Sequence, residues 1–396
     1  MNYKIMRLAG LGYDSLKNMI SEDIKNETNY SKITNHIFKN FYVYGDSFTE
    51  GMKSVGNQTF ECLYDFKPLQ TAWAKENNIK YKENTWQADI VLAQINKFKP
   101  DVIYFQDIHG LPLNIKLNLK NKFPFIKLLV LFRGWPGGDI NVYQNEFKFA
   151  DIIFVGSPIL LRKLEQTNLP KPILMYHFFD PRILDNIKNE LKYDFTFVGT
   201  TGYQQRGHSK RYWTLIELIK KTNIELWPQE YHWANDPYPR NIDKKKYINQ
   251  KNNNFNAEPK FPLSFLFPNR CHGSDKAYDV CFGLKMYQII RSSKISFNRH
   301  CNDAENEWDN MRIFQATGLG SCLLLEEGSN SKDLFEPNKE VVTYSNIDEC
   351  IEKVNYLLNH EVERSKIAKA GQDRTLKDHT MYQRCKEMHD IISKKL

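Results

Sequence analysis

The stretch EWDNMRIFQATGLGSCLLLEE, residues 307–327, decides the fold of this chain. Asp309 or Asn310 can cap a short helix, and Gly318 and Gly320 can end it just before the apolar run 322–325. The pattern therefore predicts a helix, a tight glycine turn and a buried strand, the repeating unit of an α/β protein.

The start of this helix has the features of an anion site. Its free backbone amides lie beside Arg312, and the two together suit a phosphate. Gln315, one turn deeper, could hydrogen-bond a sugar diol, so the segment suits a nucleotide diphosphate. We expect Met311, Phe314 and Leu319 to fall on one face of this helix. An ordinary α/β repeat, with the glycine as a simple helix stop, explains the same pattern without a ligand.

The residues of this segment resemble the donor-binding segment of the CgeB-like, spore-maturation-type glycosyltransferases. The matching residues are Asn310, Arg312, 314–318, Gly320, Leu324, Glu326, 334–337, 340–344, Arg364, 367–368, Gly371, 379–380, Tyr382 and Arg384. Segments at 69–76 and 99–107 resemble the N-terminal half of the same family. The resemblance implies the GT-B fold: two Rossmann-like, doubly wound α/β domains that face each other across a cleft, with a C-terminal helix crossing back.

The resemblance also implies the domain limits. Residues 1–185 would form an acceptor-side Rossmann-like domain, residues 186–380 a nucleotide-sugar-binding one, and residues 381–396 a helix that packs back on the first. Residues 228–270 interrupt the second domain, because they are rich in Asn, Lys, Pro and aromatics with little periodicity. We expect an irregular excursion there. Its aromatic side chains, which could stack on a sugar or pack the excursion down, are Tyr231, Trp233 and Tyr238.

A donor site is expected in the second domain. The family usually has Glu where this chain has Gln315, and related GT-B enzymes use two glutamates eight positions apart, a spacing that Glu307 and Gln315 keep. A strand, glycine-bearing loop and helix also put Gly199 and Arg206 where a diphosphate could lie. The predicted donor-binding residues are Gly199, Arg206, Asn298, His300, Glu307, Asn310, Arg312 and Gln315.

Polar side chains follow two predicted strands of the first domain. Asp107 and His109 come after a strand at 100–105, and either could act as general base on an acceptor hydroxyl, or equally cap a helix or orient a loop. Arg133 follows the strand at 127–132. Arginine stays charged at neutral pH, so it cannot be a base, but it can hold a phosphate or a carboxylate-bearing sugar. These three residues are the predicted catalytic group.

The first loop of the chain is the predicted acceptor side. A strand at 4–8 is followed by two glycines and a helix at 15–24, and in GT-B enzymes the first loop often faces the acceptor. The acceptor-side residues predicted on this basis are Gly10, Gly12, Tyr13 and Asp46.

A second function class comes from residues 45–51, GDSFTEG, which resemble the nucleophile block of SGNH esterases. Ser47 would be the nucleophile, but the Asp-x-x-His pair that such chemistry needs is not evident near the C-terminus. Ser47 and Glu50 could instead form a capping box at a helix start. A third class is a noncatalytic protein that binds a nucleotide-sugar without turnover.

Composition bounds these alternatives. The chain has 396 residues and 41% apolar content, which can supply two cores. It contains no apolar run of membrane-spanning length and no signal-peptide pattern, so a cytoplasmic protein is expected. Its 7 cysteines lack a Cys-x-x-Cys pair, which favours reduced thiols. Cys271, Cys281 and Cys301, with His272 and His300, could form a zinc site, but their irregular spacing favours buried or incidental thiols. We expect no metal and no cofactor.

The formal net charge of +8 favours anionic partners: a nucleotide-sugar, an anionic membrane surface or nucleic acid. No zinc-finger, RNP or helix-turn-helix signature supports nucleic acid. The family resemblance implies metal-independent transfer of a sugar from a nucleotide-sugar to a hydroxyl of a glycan or lipid-linked glycan. It implies a role in cell-surface polysaccharide synthesis (capsule, O-antigen or spore coat), with peripheral contact at the inner face of the membrane.

Overall fold

The computed structural model describes residues 2–203, 206–229, 244–249, 259–272 and 281–396. The chain divides into two compact units. The first comprises Met1–Asp180 together with Thr380–Leu396, and the second comprises Pro181–His379.

The first unit is built on a 6-stranded sheet in the order β2-β1-β3-β4-β5-β6. Every pairing in this sheet is parallel. The run Val102–Phe105 is buried along its whole length. Such apolar runs are typical of parallel strands covered on both faces. The strands are β1 Lys4–Ala9, β2 Gln58–Leu63, β3 Val102–Phe105, β4 Leu128–Arg133, β5 Ile152–Val155 and β6 Ile173–Leu174.

Helices cover both faces of this sheet. On one face Val91, Leu119 and Phe147 pack against the strands, and on the other Phe48 and Met52 do so. The helices are α1 Asp14–Ile24, α2 Tyr30–Lys39, α3 Ser47–Ser54, α4 Lys67–Glu76, α5 Trp86–Phe98, α6 Leu113–Lys122, α7 Ile140–Phe147 and α8 Pro158–Leu164.

The second unit repeats the arrangement with a 5-stranded parallel sheet in the order β11-β10-β9-β7-β8. Its strands are β7 Tyr193–Gly199, β8 Glu225–Pro228, β9 Ser293–Asn298, β10 Cys322–Glu326 and β11 Val342–Tyr344. Its helices are α9 Ser209–Lys221, α10 Lys244–Asn249, α11 Leu263–Leu266, α12 Gly283–Arg291, α13 Met311–Gly318, α14 Ser331–Leu334, α15 Ile347–Asn359 and α16 Glu361–Asp378.

The expectation of an irregular excursion at 228–270 is corrected in part, because α10 and α11 lie within it. Tyr247 of α10 and Leu263 of α11 pack into the core of the second unit, which explains why these short segments are helical. The aromatic residues Tyr231, Trp233 and Tyr238 lie outside the described residues.

The C-terminal segment, where a helix is predicted at residues 381–396, contains two consecutive helices. The structure has α16 and then α17, Met381–Ser393, separated at His379 and Thr380. Thr380 and Gln383 form a capping box, which starts a new helix and explains the break. Helix α17 belongs to the first unit and packs on α3, where a Cβ on Gly51 would lie only 2.5 Å from Sγ of Cys385.

The strand order of each sheet reverses at one point: between β1 and β3 in the first unit, and between β7 and β9 in the second. In doubly wound sheets ligands bind outside the carboxyl ends of the strands at such a point. The loops after β1, β3, β7 and β9 are therefore the places to examine for a site. None of the helices in the described ranges has both the length and the apolar character needed to cross a membrane.

Candidate functional site

The deciding stretch folds as predicted into helix, turn and strand. Asn310 is the N-cap of α13, and its side-chain oxygen accepts from the backbone N–H of Arg312 at 3.1 Å. Gly320 has φ +75, a conformation that side chains rarely adopt, so the turn requires glycine. Phe314 is fully buried, but Met311 is 37% exposed. Met311 is the first residue of the helix.

A polar cluster forms where β9 and β10 end and α13 begins. Asn298, the last residue of β9, exchanges two side-chain hydrogen bonds of 3.3 Å with Asn310. His300 Nδ1 lies 3.2 Å from Nδ2 of Asn310 and 3.3 Å from Oδ1 of Asp309. The backbone N–H of His300 donates to Oε1 of Glu326, at the end of β10, at 2.6 Å. The structure thus brings together three predicted donor residues and adds Asp309 and Glu326 to them.

Three atoms of this cluster are buried with no hydrogen-bond partner among the described residues: Nε2 of His300, Oδ2 of Asp309 and Oε2 of Glu326. His300 and Asp309 are each 3% exposed. Buried polar groups in folded proteins are nearly always paired, with protein, water or ligand. The cluster therefore has unused hydrogen-bonding capacity at the carboxyl edge of the sheet.

Nδ1 of His300 can serve only one of its two neighbours at a time. It donates to the Asp309 carboxylate when it carries the proton, and it accepts from the Asn310 amide when it does not. In the first neutral tautomer Nε2 accepts, whereas in the second, and in the protonated imidazole, Nε2 donates. His300 can therefore receive a ligand hydroxyl in one state and hold a phosphate oxygen in the other.

Arg312 and Gln315 form a pair one turn further along α13. Nη1 of Arg312 donates to Oε1 of Gln315 at 2.7 Å, and both terminal nitrogens lie near the sulfur of Met286 on α12. Nε2 of Gln315 donates to the hydroxyl of Tyr287 at 3.4 Å. Arg312 is half-buried, whereas Gln315 is 4% exposed. The Gln315 amide thus orients Arg312, and its diol-binding role remains a prediction.

Glu307 precedes this helix in a buried loop. The residue is 8% exposed, and its backbone N–H donates to the carbonyl of Ala304 at 2.9 Å. Its neighbour Trp308 is fully buried and donates from Nε1 to the carbonyl of Glu326 at 2.9 Å. Trp308 anchors the loop to the end of β10, so the loop that carries Glu307 is fixed beside the cluster.

The switch point between β7 and β9 is bridged by Arg211 of α9. Its guanidinium donates to the carbonyl of Thr200 at 2.9 Å and, from Nε, to the carbonyl of Arg299 at 2.9 Å. Gly199, a predicted donor residue, ends β7 beside this bridge with φ +152. Arg206 begins a short 3-10 helix, but its side chain lies outside what the structure describes.

The amides of the glycine loop after β1 already bind an anion, the carboxylate of Asp65, which follows β2. Oδ1 of Asp65 accepts from the amide of Leu11 at 2.8 Å, and Oδ2 accepts from the amide of Gly12 at 3.2 Å. Lys17 pairs with the same carboxylate at 3.0 Å. Two loop amides are therefore already used, which leaves the loop poorly suited to a phosphate. Tyr13 caps α1 through its backbone position alone, without a side-chain cap bond.

Two of the predicted residues, Gly10 and Asp107, meet through Tyr64. The Tyr64 hydroxyl donates to Oδ1 of Asp107 at 2.7 Å, and a Cβ on Gly10 would lie 2.9 Å from that hydroxyl oxygen. The same Asp107 oxygen accepts from the amide of His109 at 2.7 Å. Burial and the Asp107 carboxylate raise the pKa of Tyr64 well above its usual value. Asp107 thus orients the loop, and the His109 side chain is exposed.

Arg133 ends β4 as predicted. Nη2 donates to the hydroxyl of Tyr143 at 3.0 Å, the guanidinium lies 5.4 Å from the centre of that ring, and Nε is buried without a partner among the described residues. Tyr143 also donates to the carbonyl of Gly137. Arg133 is therefore held against the glycine-rich loop that follows its strand.

The Ser47 capping box is not formed. Asp46, a predicted acceptor-side residue, is the N-cap of α3, and Ser47 is the first helical residue. Ser47 is fully buried and donates from Oγ to Oδ2 of Asp180 at 2.5 Å. A nucleophile must be reachable by its substrate, so this burial also argues against the esterase alternative.

Sequence reasoning missed several of these residues. Asp309 entered only as an alternative helix cap, and Glu326 only within the family resemblance. Tyr64 and Asp65 follow β2 and carried no motif, although a polar pair directly after a parallel strand is a signal that could have been used. No group of three or more His, Cys, Asp or Glu side chains is placed to hold a metal within the described ranges. All 7 cysteines are buried and unpaired with one another.

Comparisons with known proteins agree with this architecture. A family model described as glycosyl transferase-like matches residues 263–390, which include the polar cluster and α13. A search of curated proteins finds no significant match.

Solved structures that match nearly the whole chain include those of the following proteins. Sucrose-phosphate synthase from Thermosynechococcus elongatus has a TM-score of 0.59 at 9% identity, over 99% of this chain and 98% of that one. HepE of Anabaena in complex with UDP-glucose has a TM-score of 0.58 at 10% identity, over 99% and 100%. A glycosyltransferase from Rickettsia africae has a TM-score of 0.56 at 10% identity, over 100% and 98%. This chain therefore has the GT-B fold, and its residues 263–390 are similar to a glycosyl transferase-like family.

Proposed function

We propose that this protein is a glycosyltransferase that moves a sugar from a nucleotide-sugar donor to an acceptor hydroxyl. The observation that carries the proposal is the polar cluster of Asn298, His300, Asp309, Asn310 and Glu326. It lies at the carboxyl edge of β9 and β10, has three buried atoms with unused hydrogen-bonding capacity, and falls inside the segment that matches the glycosyl transferase-like model.

The proposed donor site combines this cluster with the start of α13. Arg312 and the first amides of the helix would hold the diphosphate, and Gln315 and Glu307 would face the ribose and sugar hydroxyls. Gly199 and Arg206 would border the phosphates from the neighbouring loop. A uridine nucleotide is the first donor to test, because HepE, which shares the fold, was solved with UDP-glucose.

The proposed transfer needs two kinds of protein group. The acceptor hydroxyl attacks the anomeric carbon, the bond from that carbon to the diphosphate oxygen breaks, and the diphosphate leaves with the electron pair. Positive charge and helix amides at Arg312 would stabilise the leaving group. His109 is the proposed base for the hydroxyl proton, since its side chain is exposed whereas Asp107 already accepts from Tyr64 and the loop. Arg133 would hold an anionic part of the substrate.

The finer assignments extend the same proposal. The chain would belong to the CgeB-like subtype, work without a metal ion, and act in cell-surface polysaccharide synthesis on a glycan or lipid-linked glycan. The net charge of +8 supports peripheral contact with an anionic membrane surface. Gly10, Gly12, Tyr13 and Asp46 remain the proposed acceptor-side residues, of which the loop glycines act by shape, since Asp65 occupies the amides around them.

A turnover assay tests the proposal. The protein is incubated with each common nucleotide-sugar and a mixture of neutral oligosaccharides, with and without EDTA, and released nucleoside diphosphate is measured. We expect release from one donor class, unchanged by EDTA and abolished in His300→Ala. Binding of a donor without release would support the noncatalytic alternative, and loss of activity in EDTA would overturn metal independence.

A further inference from the structure

The first unit contains a cavity of about 540 Å³ that the matched family segment does not cover. It lies between the start of α5, the loop after β3 and the first turns of α6, with Glu146 of α7 at one side. This position is outside the carboxyl end of β3, one of the two strands between which the order of the sheet reverses. Its volume falls in the range of small-molecule sites, about 300–1,000 Å³.

A buried cation builds one wall of this cavity. The side chain of Lys116 is 1% exposed, and its ammonium group donates to the carbonyl of Ile108 at 2.7 Å. The same group lies 4.0 Å from Oε2 of Glu146 and 4.7 Å from the ring centre of Phe149. Lys116 thus fixes the loop after β3, and its charge offsets that of the Glu146 carboxylate. The lining is close to neutral, which disfavours a strongly charged ligand.

The remaining lining combines two kinds of surface. Trp86, Pro112 and Leu113 offer apolar contact, while Asn84 and Thr85 offer neutral hydrogen-bonding groups. Glu146, whose side chain is 31% exposed, offers a carboxylate that can accept from hydroxyls. A sugar ring has matching surfaces, because its C–H faces are apolar and its edge carries hydroxyls.

We propose that this cavity binds a neutral saccharide, with Glu146 accepting hydroxyl hydrogens and Trp86 forming an apolar wall. The identification of that saccharide as part of the acceptor rests on the proposed function. His109, the proposed base, lies at the same cavity, so a sugar held there would present hydroxyls near it.

The test uses saturation-transfer NMR on the full chain with neutral disaccharides (maltose, cellobiose, lactose and chitobiose) and with glucuronate-containing disaccharides of equal length. Asn84 is exposed at the cavity, so Asn84→Trp should block it without disturbing the core, and Asn84→Ala is the matched control. We expect at least one neutral disaccharide to bind the wild type and Asn84→Ala but not Asn84→Trp. Glu146→Gln should weaken it about three- to tenfold, the effect of one hydrogen bond.

The proposal would be overturned if no neutral disaccharide bound at about 20 mM, roughly the weakest range for a specific site. It would also be overturned if binding survived Asn84→Trp unchanged, or if the acidic disaccharides bound more tightly than the neutral ones. UDP binding, measured in the same samples, separates this proposal from the proposed function. Saccharide binding without nucleotide binding leaves the cavity assignment standing and contradicts the donor site. Nucleotide binding without saccharide binding leaves the donor site standing and contradicts the cavity assignment.

Discussion

Nδ1 of His300 lies 3.3 Å from Oδ1 of Asp309, and both side chains are almost completely buried. Of the two, only His300 was predicted as a site residue. Nε2 of the imidazole is left without a partner among the described residues, at the carboxyl edge of the sheet. This pair gives the proposed donor site an oriented hydrogen-bonding group.

Replacement of Asp309 tests that role. Asp309→Asn keeps the shape but removes the charged acceptor beside Nδ1, which weakens the hold on the imidazole and favours the ring with its proton on Nε2. We expect donor affinity, measured by calorimetry, to fall about tenfold or more, as for a hydrogen bond with a charged partner. Glu305→Gln, at an exposed position nearby, is the matched control and should bind as the wild type does. Equal affinities for Asp309→Asn and wild type would remove His300 from the donor site.

Gln315→Glu tests the departure from the family pattern. The new carboxylate would accept from Arg312, now 2.7 Å from the Gln315 oxygen, as an ion pair. Its attraction and its desolvation oppose each other, so we expect the free energy of unfolding to change by less than about 1 kcal/mol. Affinity for UDP should rise relative to affinity for inorganic pyrophosphate, because only UDP carries a ribose diol. A parallel fall in both affinities would show that position 315 does not contact the ribose.

Ser47→Ala separates structure from esterase chemistry. Ser47 donates to Asp180, a carboxylate that is 2% exposed. We expect the substitution to lower the free energy of unfolding by about 1.5–3 kcal/mol, as for a hydrogen bond to a charged group. The exposed Ser54→Ala is the control. The native wild type should not react with a fluorophosphonate probe, and stoichiometric labelling of Ser47 would instead favour the esterase.

His208 gives a prediction on pH. Burial, together with the nearby Arg211 charge, lowers the pKa of His208 to about 3. Between its ordinary pKa of about 6.5 and this value, the unfolded chain binds a proton that the folded chain does not. The contribution of the neutral His208 side chain to the free energy of unfolding is therefore complete above about pH 6.5. It is lost as the pH falls, by at most about 1.4 kcal/mol per pH unit.

Denaturant melts across this range check the effect. His208→Gln should lose less stability than the wild type between neutral and acidic pH, and the His208 ring resonances should not titrate near neutral pH. Identical pH slopes for the two proteins would show that His208 is solvated in the folded state.

Sequence periodicity was sufficient for the elements of the stretch 307–327 and insufficient for their side-chain partners. The helix, turn and strand at 307–327 follow from Asn310, Gly320 and a short apolar run, all of which act locally. The contact of His300 with Asp309 depends on two loops whose paths no periodicity describes. The Ser47 capping box was wrong because Asp46 already occupies the cap.

The contacts of the first loop with Asp65 could not be predicted from periodicity either. Two glycines after β1 suggested an open, ligand-facing loop, but Asp65, more than fifty residues away, accepts from the amides at Leu11 and Gly12. Such a contact arises from the pairing of β1 with β2, whose carboxyl ends meet at the same sheet edge. Long-range partners of this kind become visible only in the folded chain.

The most direct test of the donor site is a thermal-shift titration of the wild type, Arg312→Ala and the matched control Lys332→Ala with UDP, GDP, CMP, dTDP and ADP. A bound nucleotide stabilises the folded state by about 2.7 kcal/mol at a hundredfold excess over the dissociation constant. We predict that one nucleotide raises the melting temperature of the wild type and Lys332→Ala but not of Arg312→Ala. Equal shifts in all three proteins, or none at millimolar concentration, would contradict a donor site at α13.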